Sequence, residues 1–438
     1  MTQAFDMVVV GAGMVGAALA SGLGQNGFRV ALVDKQNAPQ FDAEAAPDIR
    51  VSALSAGSER YLQQLGAWSP ILDLRATVYR RLAVWDAARH PLSNLIPRTA
   101  TEVLFNAADL SATHLGHSAT HLGHIVENRI TQQALWQCAE AQPSVTLLPG
   151  TGVTALESAE THATVTLDNG DTLTCQLVIG ADGAQSRVRD LAGIGVTRDQ
   201  YAQQAMVVSV RYRGEAQDIT WQAFHPSGPR AFLPLHSAGD AHPGESWASL
   251  VWYDAPETLA RLKTLDHEAL LAEIQKGFPA DLPPLTHIDA RASFPIARQH
   301  AKHYHHRRVV LVGDAAHTIN PLAGQGVNLG FQDAACLQAM LREARRSGAD
   351  LADRQWLDRY EQQRRPANRR MMLAMDAFYY LFSNRIPPVH LLRNLGLGAA
   401  RALPFARNRV ARYAMGIDEE LPAILKQITS RLPGLNQL

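Results

Sequence analysis

The residues of this chain best placed to do chemistry are glycines and isolated acids. Gly11-Ala12-Gly13-Met14-Val15-Gly16 spaces glycines as GxGxxG directly after the apolar run Met7 to Val10. In that spacing the first glycine permits a tight turn and the second lets backbone approach a pyrophosphate. The third lets a helix pack closely on a strand, and the positive end of that helix faces the anion. Asp34 ends the next apolar run, Arg29 to Val33, where a carboxylate can hold a ribose hydroxyl. The pattern points to a dinucleotide and does not separate FAD from NAD.

Two later segments carry related chemistry. Gly180-Ala181-Asp182-Gly183-Ala184-Gln185-Ser186-Arg187-Val188-Arg189 follows an apolar run far from the first glycines. Gly313-Asp314-Ala315-Ala316-His317 follows another, and leads through Pro321 and Gly324-Gln325-Gly326-Val327 to Asn328. An extended run that ends in Gly-Asp presents a carboxylate to a sugar hydroxyl. The glycine turn beyond it aims the positive end of the next helix at whatever lies ahead, which suits the negative edge of a reduced flavin. His317 follows Asp314 closely enough to invite a catalytic role, and a structural role in the turn is the stronger reading. No Ser/His/Asp constellation and no metal-ligand spacing stands out, so no catalytic side chain and no metal are expected.

These motifs need elements to position them. Met7 to Val10, Arg29 to Val33, Val145 to Leu148, Ala163 to Leu167, Leu173 to Gly180 and Arg308 to Val312 read as strands. Ala53 to Leu65 and Thr131 to Ala139 read as helices, as do Gly326 to about Arg345 and Leu351 to Arg364, the last stopped near Pro366. Between Ala205 and Asp254 the texture changes to short β-rich segments, Met206 to Tyr212, Ala231 to Leu235 and Trp247 to Tyr253, separated by Gly, Pro and His. That texture predicts an inserted antiparallel sheet. Pro321, Leu235 and Trp252, with Phe232, Pro234 and Leu322, are candidates for an apolar pocket wall, against ordinary core packing.

The chain has 438 residues, 46% of them hydrophobic and 19% charged, enough for two interlocked domains. Lys plus Arg and Asp plus Glu both number 41, and a neutral chain without an early basic stretch argues against nucleic acid as partner. Cys138, Cys175 and Cys336 are scattered and form no CxxC pair, as expected of reduced cysteines in a cytoplasmic enzyme. The N-terminus lacks a basic leader and reads as a first strand, and no apolar run approaches the roughly 20 residues that span a bilayer. Ser111 to His117 is repeated at once as Ser118 to His124, placing histidines at 114, 117, 121 and 124. These histidines could suggest a metal site, but a zinc site needs about four ligands in a fixed tetrahedral arrangement that nothing here supplies. A duplicated surface loop is therefore expected, and a solvated loop is likewise expected for His300, His303, His305 and His306. After Phe378-Tyr379-Tyr380-Leu381-Phe382, apolar residues alternate with Arg385, Arg393, Arg401, Arg407, Arg409 and Arg412. Such a tail suits either an anionic membrane surface or a helical cap on the protein or a partner.

The three glycine motifs, in this order and spacing, resemble the class A flavoprotein monooxygenases related to para-hydroxybenzoate hydroxylase, from about Asp6 to Tyr413. The resemblance implies an α/β fold: a Rossmann-like FAD-binding domain, an inserted antiparallel-sheet substrate domain and a helical C-terminal tail. The expected division is 1–75, 125–200 and 300–365 for FAD, 76–124 and 201–299 for substrate, and 366–438 for the tail. It implies that Gly11, Gly13, Gly16 and Asp34 hold the ADP half of FAD. Gly313 and Asp314 bind the ribityl or ribose side, and Gly326, Val327 and Asn328 meet the isoalloxazine through backbone groups. Asp182 and the arginines after it serve FAD and NAD(P)H together, Arg50 lies near the flavin, and Asn128 is a further FAD candidate. NADH or NADPH would reduce the flavin, and O2 would supply the oxygen atom transferred to an electron-rich ring.

A narrower resemblance, to the ubiquinone-biosynthesis hydroxylases, rests on Arg50-Val51-Ser52-Ala53-Leu54, on Glu127-Asn128 with Gln133-Ala134-Leu135-Trp136, and on Gly313 to Gly330. Thr220-Trp221-Gln222, Gly228 to Leu235 and Trp247 to Tyr253 are similar to the members that act on demethoxyubiquinol. That implies a polyprenyl quinol substrate, a cytoplasmic enzyme peripheral to the inner membrane, and contact with other enzymes of the pathway or a second copy of the chain. Hydroxylation of another phenol or an earlier ubiquinone precursor stays open. So does an FAD reductase that adds no oxygen, as in geranylgeranyl reductases.

Overall fold

The computed structural model describes residues 2–87, 102–110, 120–321 and 324–382. The chain opens with β1 (Thr2–Val10), α1 (Met14–Gln25) and β2 (Val30–Asp34). β1 is apolar without alternation from Met7 to Val10 because helices cover both its faces, as in a parallel sheet. α1 is rich in Ala and Gly because nearly every position from Gly16 to Gly24 is buried. Next come β3 (Val51–Ser55), α2 (Ala56–Leu65), α3 (Trp68–Leu74), β4 (Ala76–Tyr79), β5 (Arg81–Asp86) and β6 (Val103–Asn106). The sequence suggests a helix from Ala53, but Ala53 to Ser55 belong to β3. The helix starts only where the Ser55 hydroxyl caps it, accepting a bond from the Ser58 N–H at 3.4 Å.

α4 (Ala107–Leu110), β7 (Gly123–Glu127), α5 (Asn128–Glu140), β8 (Val145–Pro149), β9 (Val153–Ser158), β10 (Ala163–Leu167) and β11 (Thr172–Gly180) follow. After α6 (Arg187–Leu191) come the long β12 (Val196–Arg213), then β13 (Ile219–His225), β14 (Gly228–Ser237) and β15 (Glu245–Asp254). α7 (Pro256–Thr264), α8 (His267–Gly277) and β16 (Leu285–Ala301) lead to β17 (His305–His306), β18 (Val309–Leu311) and β19 (His317–Thr318). α9 (Gln325–Arg346) and α10 (Arg354–Phe382) complete the described residues.

Three sheets result. In the first, β18, β11, β1, β2 and β8 run parallel, the order expected of a Rossmann-like unit, with β17, β9 and β10 added antiparallel. The second has the order β19-β16-β12-β15-β14-β13-β5-β6. It is antiparallel as predicted, except that β5 and β13 pair parallel. β12 and β16 pair along nearly their whole length, from Val196 to Tyr212. The third sheet, β3-β7-β4, sits between them. α7 and α8, which sequence reading missed, cover one face of the second sheet: Leu259, Leu262, Leu270 and Ile274 pack with Trp221, Phe232 and Trp252.

The last helix corrects a prediction. Proline inside a helix removes one hydrogen bond and crowds the preceding turn, yet α10 continues through Pro366 to Phe382. Contacts on both sides of the proline hold it. Tyr360 donates to the Leu311 carbonyl at 3.0 Å, Arg364 and Asn368 both donate to Asp333, and Asp376 pairs with Arg298 and Tyr201.

Asp333 on α9 is fully buried and is the charged centre of this region. It accepts from Arg364 at 2.7 Å, from Asn368 at 2.9 Å and from the Gly313 N–H at 3.2 Å, and pairs with His317 at 2.5 Å. Burial alone would push its carboxyl up. His317 and Arg364 outweigh that and hold it well below the usual carboxylate range. The stability this confers is therefore present above the unfolded carboxyl value near pH 4, and is lost as pH falls through the depressed folded value. Asp333→Ala should lower stability by about 3–5 kcal/mol, because it strands buried cations, measured as a shift of the urea midpoint at neutral pH. Asp333→Asn should flatten the loss of melting temperature as pH falls below about 4. A variant as acid-sensitive as the parent would locate the acid-labile group elsewhere.

Candidate functional site

One cavity of about 1090 Å³ lies where the three sheets meet. That is at the upper end of the roughly 300–1,000 Å³ typical of ligand pockets. One wall contains Gly13 with Met14 and Val15 of α1, Val51, Ser52 and Ala53 of β3, Asp314, and Gln325, Gly326 and Val327 of α9. Its opposite wall is the exposed face of the second sheet, with Val207, Leu233, Val251 and Tyr253.

Two helices start at this cavity without side-chain caps. α1 begins after Gly13 and α9 after Gly324, whose φ of +62° is the left-handed conformation that favours glycine. Their first N–H groups therefore lack an intrahelical partner and offer positive ends to an anion. A Cβ added at Gly13 or Gly326 would meet no atom within 4 Å, so both backbones border open space. Gly11 and Gly16 act behind the turn. Gly11 has φ +100°, and a Cβ on Gly16 would lie 1.8 Å from the Gly11 carbonyl oxygen. That close approach seats α1 on the glycine turn.

The three acids of the motifs do different work. Asp34 closes the glycine turn, accepting from the Ala12 N–H at 2.6 Å and the Gln36 N–H at 2.7 Å. Asp182 closes the turn into α6, accepting from the Ser186 hydroxyl at 2.5 Å and the Val188 N–H at 3.0 Å. Asp182 does not line the cavity, whereas Ala181, Gly183, Ala184 and Gln185 do. Asp314 does line it, and no donor among the described residues meets its carboxylate. The side chain is exposed, but protein surrounds it except where the cavity opens to solvent. That enclosure pushes its carboxyl up, against the opposing pull of His317 and Arg50. An unmatched acceptor facing a cavity fits a sugar-type hydroxyl. Together with the two helix ends, this donor and acceptor set fits FAD.

Arg50 lines the cavity with its guanidinium 5.5 Å from the Phe294 ring centre. Asn128 lines it too, and accepts a 2.6 Å bond from the Ser52 hydroxyl. Gly313 is buried behind Asp314 with φ +58°. Asn328 is buried and its amide is spent within the protein: it donates to the Ala53 carbonyl at 2.9 Å, and accepts from the Ser55 N–H at 3.0 Å and the Ser58 hydroxyl at 2.7 Å. It fastens α9 to β3 and α2, and of the Gly326-Val327-Asn328 run only the first two border the cavity. His317 is 1% exposed and lies behind the turn, against Asp333.

The pocket-wall candidates need correction. Pro321 lines the cavity, but Trp252 and Leu235 do not. On β15 Ser249, Val251 and Tyr253 point to the cavity, so the strand period of two sends Trp252 to the opposite face. There it packs on Phe278 and donates to Asp254 at 3.0 Å, beside the buried Arg230. Leu235 lies in a core with Tyr79 and Trp247. Phe232 packs with Trp252 under the helices, and Leu322 lies outside the described residues. Sequence reading missed Val251, Tyr253 and Leu233, although alternation along β14 and β15 carried the signal. It also missed Gln299, which reaches the Ala184 carbonyl at 2.6 Å and the Asp314 carbonyl at 3.2 Å. Nothing local in the sequence marks that contact.

The histidine-rich segments also differ from expectation. His121 and His124, in the second copy of the repeat, are not a solvated loop: both bond Glu59, and His124 sits in β7. His114 and His117 lie outside the described residues. His303 and His306 are exposed, but His300 bonds the Tyr304 hydroxyl at 3.0 Å and His305 bonds Asp358 at 2.9 Å. No disulfide joins the cysteines; Cys175 is buried, while Cys138 and Cys336 are half-buried.

The FAD binding domain family matches residues 4–374. The 3-demethoxyubiquinol 3-hydroxylase of Escherichia coli K12 is 43% identical over 415 residues, covering 95% of this chain and 99% of that protein. Ubiquinone hydroxylase UbiL of Rhodospirillum rubrum is 34% identical over 97% of this chain and 93% of its own length. The human mitochondrial ubiquinone biosynthesis monooxygenase COQ6 is 32% identical over 94% and 92%. Among solved structures, p-nitrophenol 4-monooxygenase PnpA from Pseudomonas putida superposes with a TM-score of 0.73 at 18% identity, covering 99% of this chain and 100% of that one. Pseudomonas aeruginosa PqsL gives 0.69 at 22%, covering 90% and 99%; both share the α/β fold. The chain therefore belongs to the FAD binding domain family, and within it to the FAD-dependent aromatic hydroxylases of ubiquinone biosynthesis.

Proposed function

We propose that this protein hydroxylates the ring of demethoxyubiquinol, a polyprenyl quinol, using FAD, O2 and NADH or NADPH. The observation that carries the reading is the make-up of one cavity. Uncapped helix ends and the unmatched Asp314 form one wall, and an apolar sheet face forms the other. The relative that is 43% identical over nearly its whole length bears the name of that reaction.

When bound and reduced, FAD supplies the activation of O2 for transfer of one oxygen atom to an electron-rich ring. The chain's own residues bind, orient and exclude water. The N–H groups after Gly13 would hold the pyrophosphate, and those after Gly324 the electron-rich edge of the flavin ring. Asp314 would accept from a ribityl hydroxyl, and Asp34 and Asp182 shape the turns on either side. Arg50 and Asn128 would orient the ring system from β3 and the start of α5. Val207, Leu233, Val251 and Tyr253 would seat the quinol ring and keep water off it. On this reading the second sheet with α7 and α8 is the substrate domain, and no side chain acts as nucleophile.

Among the described residues no helix is long and apolar enough to cross a membrane. Residues 383–438 lie outside the described residues. Their arginines, interleaved with apolar positions, suit an anionic membrane surface where a polyprenyl quinol resides, or contact with partner enzymes or a second copy of this chain. Deleting everything after Arg365 would remove Asn368 and Asp376 and so damage the fold itself. Truncation after Phe382 is the informative cut. It should keep flavin content and weaken sedimentation with anionic liposomes, and unchanged sedimentation would remove the tail from this role.

Asp314→Ala should fold, as judged by circular dichroism, yet bind FAD about 10- to 100-fold more weakly, the loss of a hydrogen bond to a charged group worth about 1.5–3 kcal/mol. Full flavin occupancy after gel filtration would show that Asp314 does not hold the cofactor. Leu233→Arg should retain FAD but lose at least about tenfold in product formation, since it places a charge on the apolar wall. Oxygen uptake with demethoxyubiquinol, coupled to a product heavier by one oxygen atom, tests the reaction. Equal turnover of para-hydroxybenzoate would favour a soluble phenol instead, and substrate reduction without oxygen uptake would favour a reductase.

A further inference from the structure

Glu59 lies on α2, outside the cavity, and its carboxylate is almost fully buried. Each of its oxygens meets a different imidazole: Oε1 lies 2.7 Å from His124 Nδ1, and Oε2 lies 2.7 Å from His121 Nε2. The potential ligand atoms of the three residues all fall within 4.8 Å of one another. Three separate places in the chain supply them: a helix, the segment before β7, and β7 itself. The rings are held in place. His121 Nδ1 bonds Thr120 Oγ1 at 2.9 Å, the two imidazoles meet edge to face, and His124 meets the Trp68 ring at 5.0 Å between centres.

We propose that Glu59, His121 and His124 form a structural binding site for a divalent transition-metal ion of the zinc class. Two imidazoles and a carboxylate are a donor set suited to Zn²⁺, with a water molecule completing a tetrahedron. At bond lengths of about 2.0–2.1 Å a tetrahedral ion sets its donor atoms about 3.3 Å apart. The 2.7 Å pairs thus need to open by about 0.6 Å, a side-chain movement. Both imidazoles coordinate as neutral rings. The ring proton of His121 then sits on Nδ1, where Thr120 Oγ1 accepts it, and that of His124 on Nε2. Such an outer hydrogen bond is the usual means of fixing the tautomer and orientation of a ligating histidine.

The position gives the ion its function. β7 pairs with β3 and β4, β3 lines the cavity through Val51, Ser52 and Ala53, and β7 runs straight into Asn128. An ion between α2 and β7 would clamp this small sheet without touching the reacting atoms. The site is independent of the flavin reading, and its test can fail or succeed separately.

Metal-stripped, FAD-loaded full-length protein titrated with Zn²⁺ alone should take up one equivalent per chain, measured by calorimetry and elemental analysis. It should also melt at a higher temperature with zinc. His121→Ala, at a half-buried position, and the conservative Glu59→Gln should each bind roughly tenfold or more weakly while keeping FAD. No stoichiometric uptake overturns the proposal, as does uptake unchanged in the His121→Ala/His124→Ala double variant, which would place zinc on other histidines. Should the double variant not fold, diethyl pyrocarbonate labelling of the parent protein decides. Zinc should protect His121 and His124, and equal labelling with and without zinc refutes the site.

Discussion

The buried charge of Asp333 is the constraint on which the rest of this architecture depends. A carboxylate with no solvent contact is tolerated only when cations and donors surround it, and here they come from two segments of the chain. Gly313 and His317 belong to the turn that carries Asp314. Arg364 and Asn368 belong to the helix that runs through Pro366. Asp333 itself lies two turns into α9, whose uncapped start faces the cavity. Satisfying one buried group therefore fixes, relative to one another, the acid and the helix end that would meet a flavin. It also explains why His317, so close to Asp314 in sequence, points away from the cavity.

Identical residue types in similar motifs are put to different use. Asp34, Asp182 and Asp314 each follow a strand of the parallel sheet and each sits near a glycine. The first two spend their oxygens within the protein: Asp34 on the Gln36 N–H and the Ala12 N–H of the first glycine turn, and Asp182 on a hydroxyl and an N–H of the turn that follows it. Asp314 has no such neighbour within the described residues. Its enclosure raises its carboxyl and leaves an acceptor facing the cavity. The cavity is the side on which this acceptor is open, which marks Asp314 as the acid available to a ligand.

The parallel sheet, its glycine turns and the second sheet were legible in the sequence because each leaves a local pattern: unbroken apolar runs, GxGxxG spacing and alternation. What was not legible depends on partners distant in the chain. Nothing near Pro366 announces that residues before and after it will be anchored to Asp333, Leu311 and Arg298, so a rule of local chemistry gave the wrong helix end. Ala53 has the spacing of a helical residue and becomes a strand because β7 pairs with it. Trp252 was chosen as a pocket residue for its size, yet the face of a strand follows from its period. Val251 and Tyr253 had the correct phase, and Trp252 is drawn to the Arg230–Asp254 pair on the other side. Asn328 shows the same limit, since its side chain serves three residues 270 or more positions earlier in the chain.

The duplicated segment shows how an insertion can be accommodated without disturbing the cavity. Lengthening a connection costs little, since doubling a flexible loop adds only about 0.6 kcal/mol of closure entropy, whereas a one-residue slip of β7 would reverse every side chain of β7. Register must therefore be set by contacts of the copy that joins the strand. The second copy makes them: Leu122 is buried, Gly123 pairs with Ser55 and Tyr79, and His121 and His124 close on Glu59. A Cβ at Gly123 would lie 2.2 Å from the Leu54 carbonyl oxygen, so the residue that enters the strand at that point must be glycine, and a Leu-Gly-His run supplies it. Because both copies contain that run, the sequence alone does not say which enters. The pairing from Gly123 to Glu127, continuous with the Asn128 that lines the cavity, selects the copy adjacent to it.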